Sequence, residues 1–303
     1  MFARCVPGKL TPGRAGRAWP LLLVVLLGIA ALAAWARQSP RAALTIGDQW
    51  LSLGEVSRAE GAYGRFLAQR GNAPDDLFQI GARFLQAQQW RKAEHYLSRA
   101  VAADPVHPAR VLLGIAYEKT GRDEQAEATY REALRRRPGD PQALNALGYF
   151  YAYRGYRIGL AVELLQRALQ LAPEEGAIID SLGWALYQRG DLTAAIRQLR
   201  RAVAALPGDA EVRFHFGVAL ARAGLRDPAL VELGKAARQD PKLPGVQAAL
   251  RQVRAGRRLP VPLVPPGVRR PSAPDDDAEE VGPPAQPREA PLSPPRLPRG
   301  RTT

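Results

Sequence analysis

Cysteine is all but missing from these 303 residues: the only one is Cys5, close to the amino terminus. A single thiol cannot form an intrachain disulfide, and neither a cysteine-ligated metal module nor a dithiol redox centre can be built from it. Histidine is nearly as scarce. His95, His107 and His215 are the whole supply, and none stands at metal-ligand spacing from another histidine or an acid. His95 and His215 read as residues on helix surfaces. A glycine-rich phosphate loop is also lacking, because the glycines recur at a long fixed interval instead. The pair Glu174-Glu175 and the run Asp275 to Asp277 read as a helix approach and a solvated stretch. With no nucleophile and base, no ligand set and no phosphate cradle, neither enzymatic activity nor a cofactor nor a metal is expected, since function has to be argued from a site.

What the chain does have is a period. Gly47, Gly81, Gly114, Gly148, Gly183 and Gly217 follow one another at spacings of 34, 33, 34, 35 and 34. Ala59, Ala93, Ala126, Ala161, Ala195 and Ala229 trail those glycines by 12 residues, or 13 in the fourth case. Each period reads as two amphipathic helices of about four turns, too short to stand alone in water. Such hairpins bury their apolar stripes only by stacking. The absence of bulk at Gly183 and Ala195 lets the two helices of a hairpin approach closely, with Leu182, Leu186 and Leu199 filling the space between. Ala100, Ala133, Ala168, Ala202 and Ala236 serve the contact from one hairpin to the next. Gly54, Gly121, Gly155, Gly190 and Gly224 mark the turns; Gln88-Gln89 replaces the glycine in the second, and the one inserted residue falls in the turn Gly155 to Gly159.

This pattern resembles the tetratricopeptide repeat family, whose helix-turn-helix unit of about 34 residues ends in a proline. Here that proline is Pro105, Pro138, Pro173, Pro207 and Pro241, while Gly71-Asn72 closes the first unit. The resemblance implies an all-α chain, a right-handed α-solenoid of about six units over 40–73, 74–106, 107–140, 141–175, 176–209 and 210–243. A capping helix over 244–256 follows, with Val246, Ala249, Leu250 and Val253 at helical spacing. It also implies a protein or peptide partner held in a groove lined by the first helix of each unit. The matching positions are Phe78, Tyr149, Tyr153, Asp180, Trp184, Tyr187, Phe214 and Arg222, with Leu85, Val111 and Asn145 among them or beside them. The competing account is that Trp184 or Phe214 tilts into the seam between units and merely packs. The lysine and asparagine clamp with which some members hold a terminal carboxylate is not present. The wording Leu147-Gly148 and Asp180 to Trp184 is similar to that of bacterial envelope members of the family.

The flanks differ from the repeats. Residues 18–36 carry no charge, with Trp19 and Trp35 near the two ends. About 20 apolar residues cross a bilayer as one helix, and indoles favour its interfaces. The basic residues of 1–17, Arg4, Lys9, Arg14 and Arg17, hold that end in the cytoplasm by the positive-inside rule. A single-pass anchor in a bacterial inner membrane, with the repeats in the periplasm, is therefore expected. The alternatives are a signal peptide cut after Ala36, releasing a soluble periplasmic protein that binds an anionic polymer, and a cytoplasm-facing membrane regulator. Arg131 with Arg135 to Arg137, and Arg197 with Arg200 and Arg201, read as solvated helix faces, and nucleic acid is not an expected partner. Residues 259–303 hold 13 prolines in 45 positions; that composition cannot bury a core, so 257–303 reads as a disordered tail.

Overall fold

A computed structural model describes residues 39–257, together with 24, 27, 28 and 259. The expected membrane span over 18–36 and the proline-rich tail lie outside the described residues, apart from those few positions. Among the described residues no helix is long and apolar enough to cross a membrane.

Thirteen α-helices and no strand make up the described chain. They are α1 (Pro40–Ser52), α2 (Val56–Arg70), α3 (Pro74–Gln86), α4 (Trp90–Ala103), α5 (Ala109–Lys119), α6 (Asp123–Arg136), α7 (Pro141–Arg154), α8 (Ile158–Leu171), α9 (Gly176–Arg189), α10 (Leu192–Ala205), α11 (Ala210–Arg222), α12 (Arg226–Gln239) and α13 (Val246–Arg254). The chain divides into two compact units, Met1–Thr129 and Tyr130–Thr303, with the boundary inside α6.

In the first unit α1 pairs with α2 and α3 with α4, and α4 continues onto α5. Helix α1 opens with Ser39, whose hydroxyl accepts the Ala42 N–H at 3.1 Å, and with Pro40 in the first turn, where a missing N–H is no loss. The core is aromatic: Tyr63 meets Phe84 edge-on at 5.4 Å, and Phe84 stacks on Tyr96 at 5.4 Å. Asp48 accepts from the Tyr63 hydroxyl at 2.8 Å and from Arg83 at 2.7 Å, joining three successive helices. The turn that lacks glycine keeps the turn conformation, with Gln88 at φ 57°.

In the second unit the pairs are α7 with α8, α9 with α10 and α11 with α12; α9 also packs on α7 and α11, and α13 packs on α12. Aspartate caps recur: Asp140 accepts from the N–H groups of Gln142 and Ala143, and Asp209 from those of Glu211 and Val212. Helix α13 buries Val246, Ala249, Leu250 and Val253.

The repeated glycine has one job in both units. A Cβ at Gly81 would lie 2.6 Å from Leu97, one at Gly148 2.6 Å from Leu165, one at Gly183 2.6 Å from Leu199 and one at Gly217 2.7 Å from Leu233. The leucine of the second helix lies over the bare backbone of the first, so the hairpin closes to a distance that no side chain would permit. Between hairpins, Ala202 clusters with Ile179 and Val212 of the flanking first helices, as the small-residue pattern predicts. A second tie was not expected. An arginine six residues after Ala93, Ala161 and Ala195 reaches back to the preceding turn: Arg99 to Asn72 Oδ1 at 2.8 Å, Arg167 to the Pro138 carbonyl at 3.5 Å and Arg201 to the Pro173 carbonyl at 3.5 Å.

Candidate partner-binding face

The residues that the sequence brings forward fall on the first helices of their hairpins, and seven of the eight lie in the second unit. On α7, Tyr149 and Tyr153 sit one helical turn apart, their rings 5.7 Å from each other. The Tyr149 hydroxyl donates to Glu211 Oε1 at 2.9 Å. Glu211 belongs to α11, so this bond passes from α7 to a helix two hairpins later. Burial first, and then the Glu211 and Asp180 carboxylates, hold the Tyr149 phenol well above its ordinary pKa, which keeps it a donor.

Helices α9 and α11 together build a stack of flat groups. Trp184 lies against Tyr187 at 5.0 Å on one side and against His215 at 4.3 Å on the other. The Arg222 guanidinium covers Tyr187, 4.9 Å from the ring centre, and donates to the Tyr187 carbonyl at 2.8 Å. Such offset stacks and a cation over a ring each contribute beyond simple burial. Asp180 accepts from His215 Nδ1 at 2.9 Å. Burial, the largest single influence on His215, disfavours its charged form; the Asp180 charge and hydrogen bond, with Glu211 and Asp209, outweigh it and leave the pKa raised. His215 is therefore no helix-surface residue. It is 2% exposed, and the correction follows from a partner 35 residues away on another helix.

The structure divides the expected set. Tyr149, Tyr153 and Arg222 are half-buried, whereas Asp180, Trp184, Tyr187 and Phe214 are buried. Phe214 also packs where the chain turns toward α13, since a Cβ on Gly245 would stand 3.4 Å from its ring. For that residue the packing account holds. Trp184 and Tyr187 are the back wall of the face rather than its rim, and their polar ends are unanswered: the indole Nε1 and the Tyr187 hydroxyl are buried without a hydrogen-bond partner among the described residues. Asn145 Oδ1 on α7 is in the same condition.

Phe78 stands apart, in the first unit, half-buried with its ring 5.3 Å from that of His107. His107 is structural: Nδ1 accepts the Ala109 N–H at 3.0 Å, doing the work of a helix cap, and Nε2 meets Asp75 at 3.0 Å. No group of three or more metal-ligating side chains occurs among the described residues. In the first basic cluster Arg135 and Arg136 are answered by Glu132 at 2.6 Å each and Arg137 by Asp140 at 3.1 Å, whereas in the second Arg201 donates to Gln198 and the Pro173 carbonyl.

Stacked helical hairpins with an aromatic first-helix face define a repeat-type helical array. The model of the tetratricopeptide repeat matches residues 78–141, 112–176 and 181–244, more than half of the chain, and the chain belongs to that family. It is 34% identical over 171 residues to the TPR repeat-containing protein PA4667 of Pseudomonas aeruginosa, covering 54% of this chain and 28% of that one. It is 25% identical over 131 residues to anaphase-promoting complex subunit 6 of Arabidopsis thaliana, covering 43% and 24%. The aligned part thus spans about a quarter of the length of these curated relatives. Among solved structures, the APC/C hetero-tetramer Cut9-Hcn1 matches with a TM-score of 0.61 at 17% identity, over 71% of this chain and 43% of that one. Pseudomonas aeruginosa pilF matches with a TM-score of 0.54 at 18% identity, over 74% and 99%. These structural likenesses speak to the fold. Proteins of this family generally serve as scaffolds for protein interactions.

Proposed function

We propose that this chain is a non-enzymatic interaction scaffold that holds a protein or peptide partner against the face formed by α7, α9 and α11. Its setting in this reading is the outer side of a bacterial inner membrane, with residues 18–36 as anchor and envelope proteins as partners. One observation carries the reading: the buried Trp184 indole N–H and Tyr187 hydroxyl lack acceptors. A buried donor left unpaired costs about 1–3 kcal/mol, so native interiors rarely keep two side by side. A partner that docks along Tyr149, Tyr153 and Arg222 and pushes those side chains aside brings carbonyl oxygens to both donors and recovers that cost on binding.

The test leaves the back wall alone. Tyr149→Ala with Tyr153→Ala should remove copurifying partners from detergent-solubilised membranes while circular dichroism stays unchanged. Partners retained at wild-type levels would show that the face is not where they bind.

A further inference from the structure

At the carboxyl-terminal end of the second unit lies a cavity of about 550 Å³, which borders the stack of Trp184 and Tyr187 through Arg222. Its lining comes from the start of α10 (Leu192), the end of α11 and its turn (Ala221 to Gly224), the start of α12 (Arg226), and the end of α13 with the residues after it (Val253, Gly256, Arg257 and Leu259). The polar side chains in that lining are three arginines, Arg222, Arg226 and Arg257. Among the described residues no carboxylate lines it.

Some cations of this unit meet acids: Arg213 and Lys235 meet Glu232 at 2.9 and 2.8 Å, and Arg189 takes Asp191 at 2.6 Å. The three cavity arginines have no carboxylate within 4.0 Å among the described residues. Arg222 donates to the Tyr187 carbonyl at 2.8 Å, and Arg226 to the carbonyls of Val253 and Arg254 at 3.2 and 2.8 Å. Those bonds fix two guanidinium groups in place without neutralising them. Helices α10 and α12 begin beside the cavity, with Asp191 at the N-cap position of the one and Asp227 in the first turn of the other, both outside the lining. Leu192, Val253 and Leu259 supply apolar wall, and the volume is that of a small-molecule site.

We propose that this cavity binds a phosphate monoester or phosphodiester group carried on an apolar stem. Three uncompensated guanidinium groups suit a phosphate better than a singly charged carboxylate, and the fork of N–H donors matches its oxygens in pairs. The leucine and valine side chains take the stem.

The probe is phenyl phosphate, titrated calorimetrically into the full chain in neutral detergent. Saturable binding is expected, weakened about tenfold or more by Arg257→Gln, the loss of one charge-assisted contact. Arg257 ties its backbone N–H, not its side chain, to Gln252, so the fold should survive the change. Arg251→Gln, an exposed charge on α13 outside the cavity, should leave affinity unchanged. Competition by dihexanoylphosphatidylglycerol would assign the site to lipid headgroups; binding that this lipid leaves untouched would assign it to soluble phosphate esters. No saturable binding, or equal weakening by the two substitutions, would overturn the proposal.

Discussion

His215 shows how much one side chain depends on distant neighbours. It is enclosed by Trp184 and Asp180 of α9 and, on its own helix, by Phe214 and Glu211, with the Tyr149 hydroxyl reaching that glutamate from α7. Because its pKa in the folded chain is raised above the usual 6.5, folding takes up a proton. The stabilisation is therefore complete below about pH 6.5 and fades as pH climbs through the raised value. Denaturant midpoints measured against pH should show the gap between wild type and His215→Gln widening toward mild acidity. A gap that stays constant from pH 5 to 8, about the range over which histidine titrates, would mean that the pair carries no charge. Nothing in the local sequence announces this pair, since position 215 sits on a helix whose turns give no sign of what faces them from position 180. His107 escaped for a similar reason: a histidine serving as a cap lies outside the usual serine, threonine, aspartate and asparagine vocabulary.

At the scale of the element the sequence is far more readable. The glycine and alanine rulers place the helices because close approach is a local steric demand repeated at every hairpin. Gln88 in a left-handed turn shows that the fold imposes the conformation even where the residue does not favour it. Register against the next hairpin is less legible, and the arginine ties to Asn72, Pro138 and Pro173 were missed because they join positions about one repeat apart. The sharpest test is Gly183→Ala. The added methyl would lie 2.6 Å from Leu199 Cγ and 3.2 Å from its backbone nitrogen, so both side chain and helix have to move. Overpacking of this kind costs about 1–3 kcal/mol, despite the better helix propensity of alanine. Urea unfolding should register the loss; an unchanged midpoint would mean that the hairpin has slack.

For the whole molecule, composition and position say most. The net charge of +14 is unevenly spread: the first 37 residues contribute five basic side chains and no acid, directly around the uncharged stretch 18–36. If that stretch anchors the chain, alkaline carbonate should leave the protein in the membrane pellet, and deletion of 18–36 should release it. Recovery of the full-length chain in the supernatant would remove the anchor from the account. The residues that the sequence proposes for the face on α7, α9 and α11 do fall on those helices, but which of them are half-buried and which are buried was not legible, because that depends on how side chains lean after three hairpins have stacked.

The bond from Tyr149 to Glu211 skips a hairpin, and it acts as a strut. Helical arrays of this kind flex like a spring, and every change of pitch in the second unit would lengthen or shorten that span. Held at hydrogen-bond length, it favours the pitch at which α7 and α11 stand that far apart by about 1 kcal/mol, the net worth of one such bond.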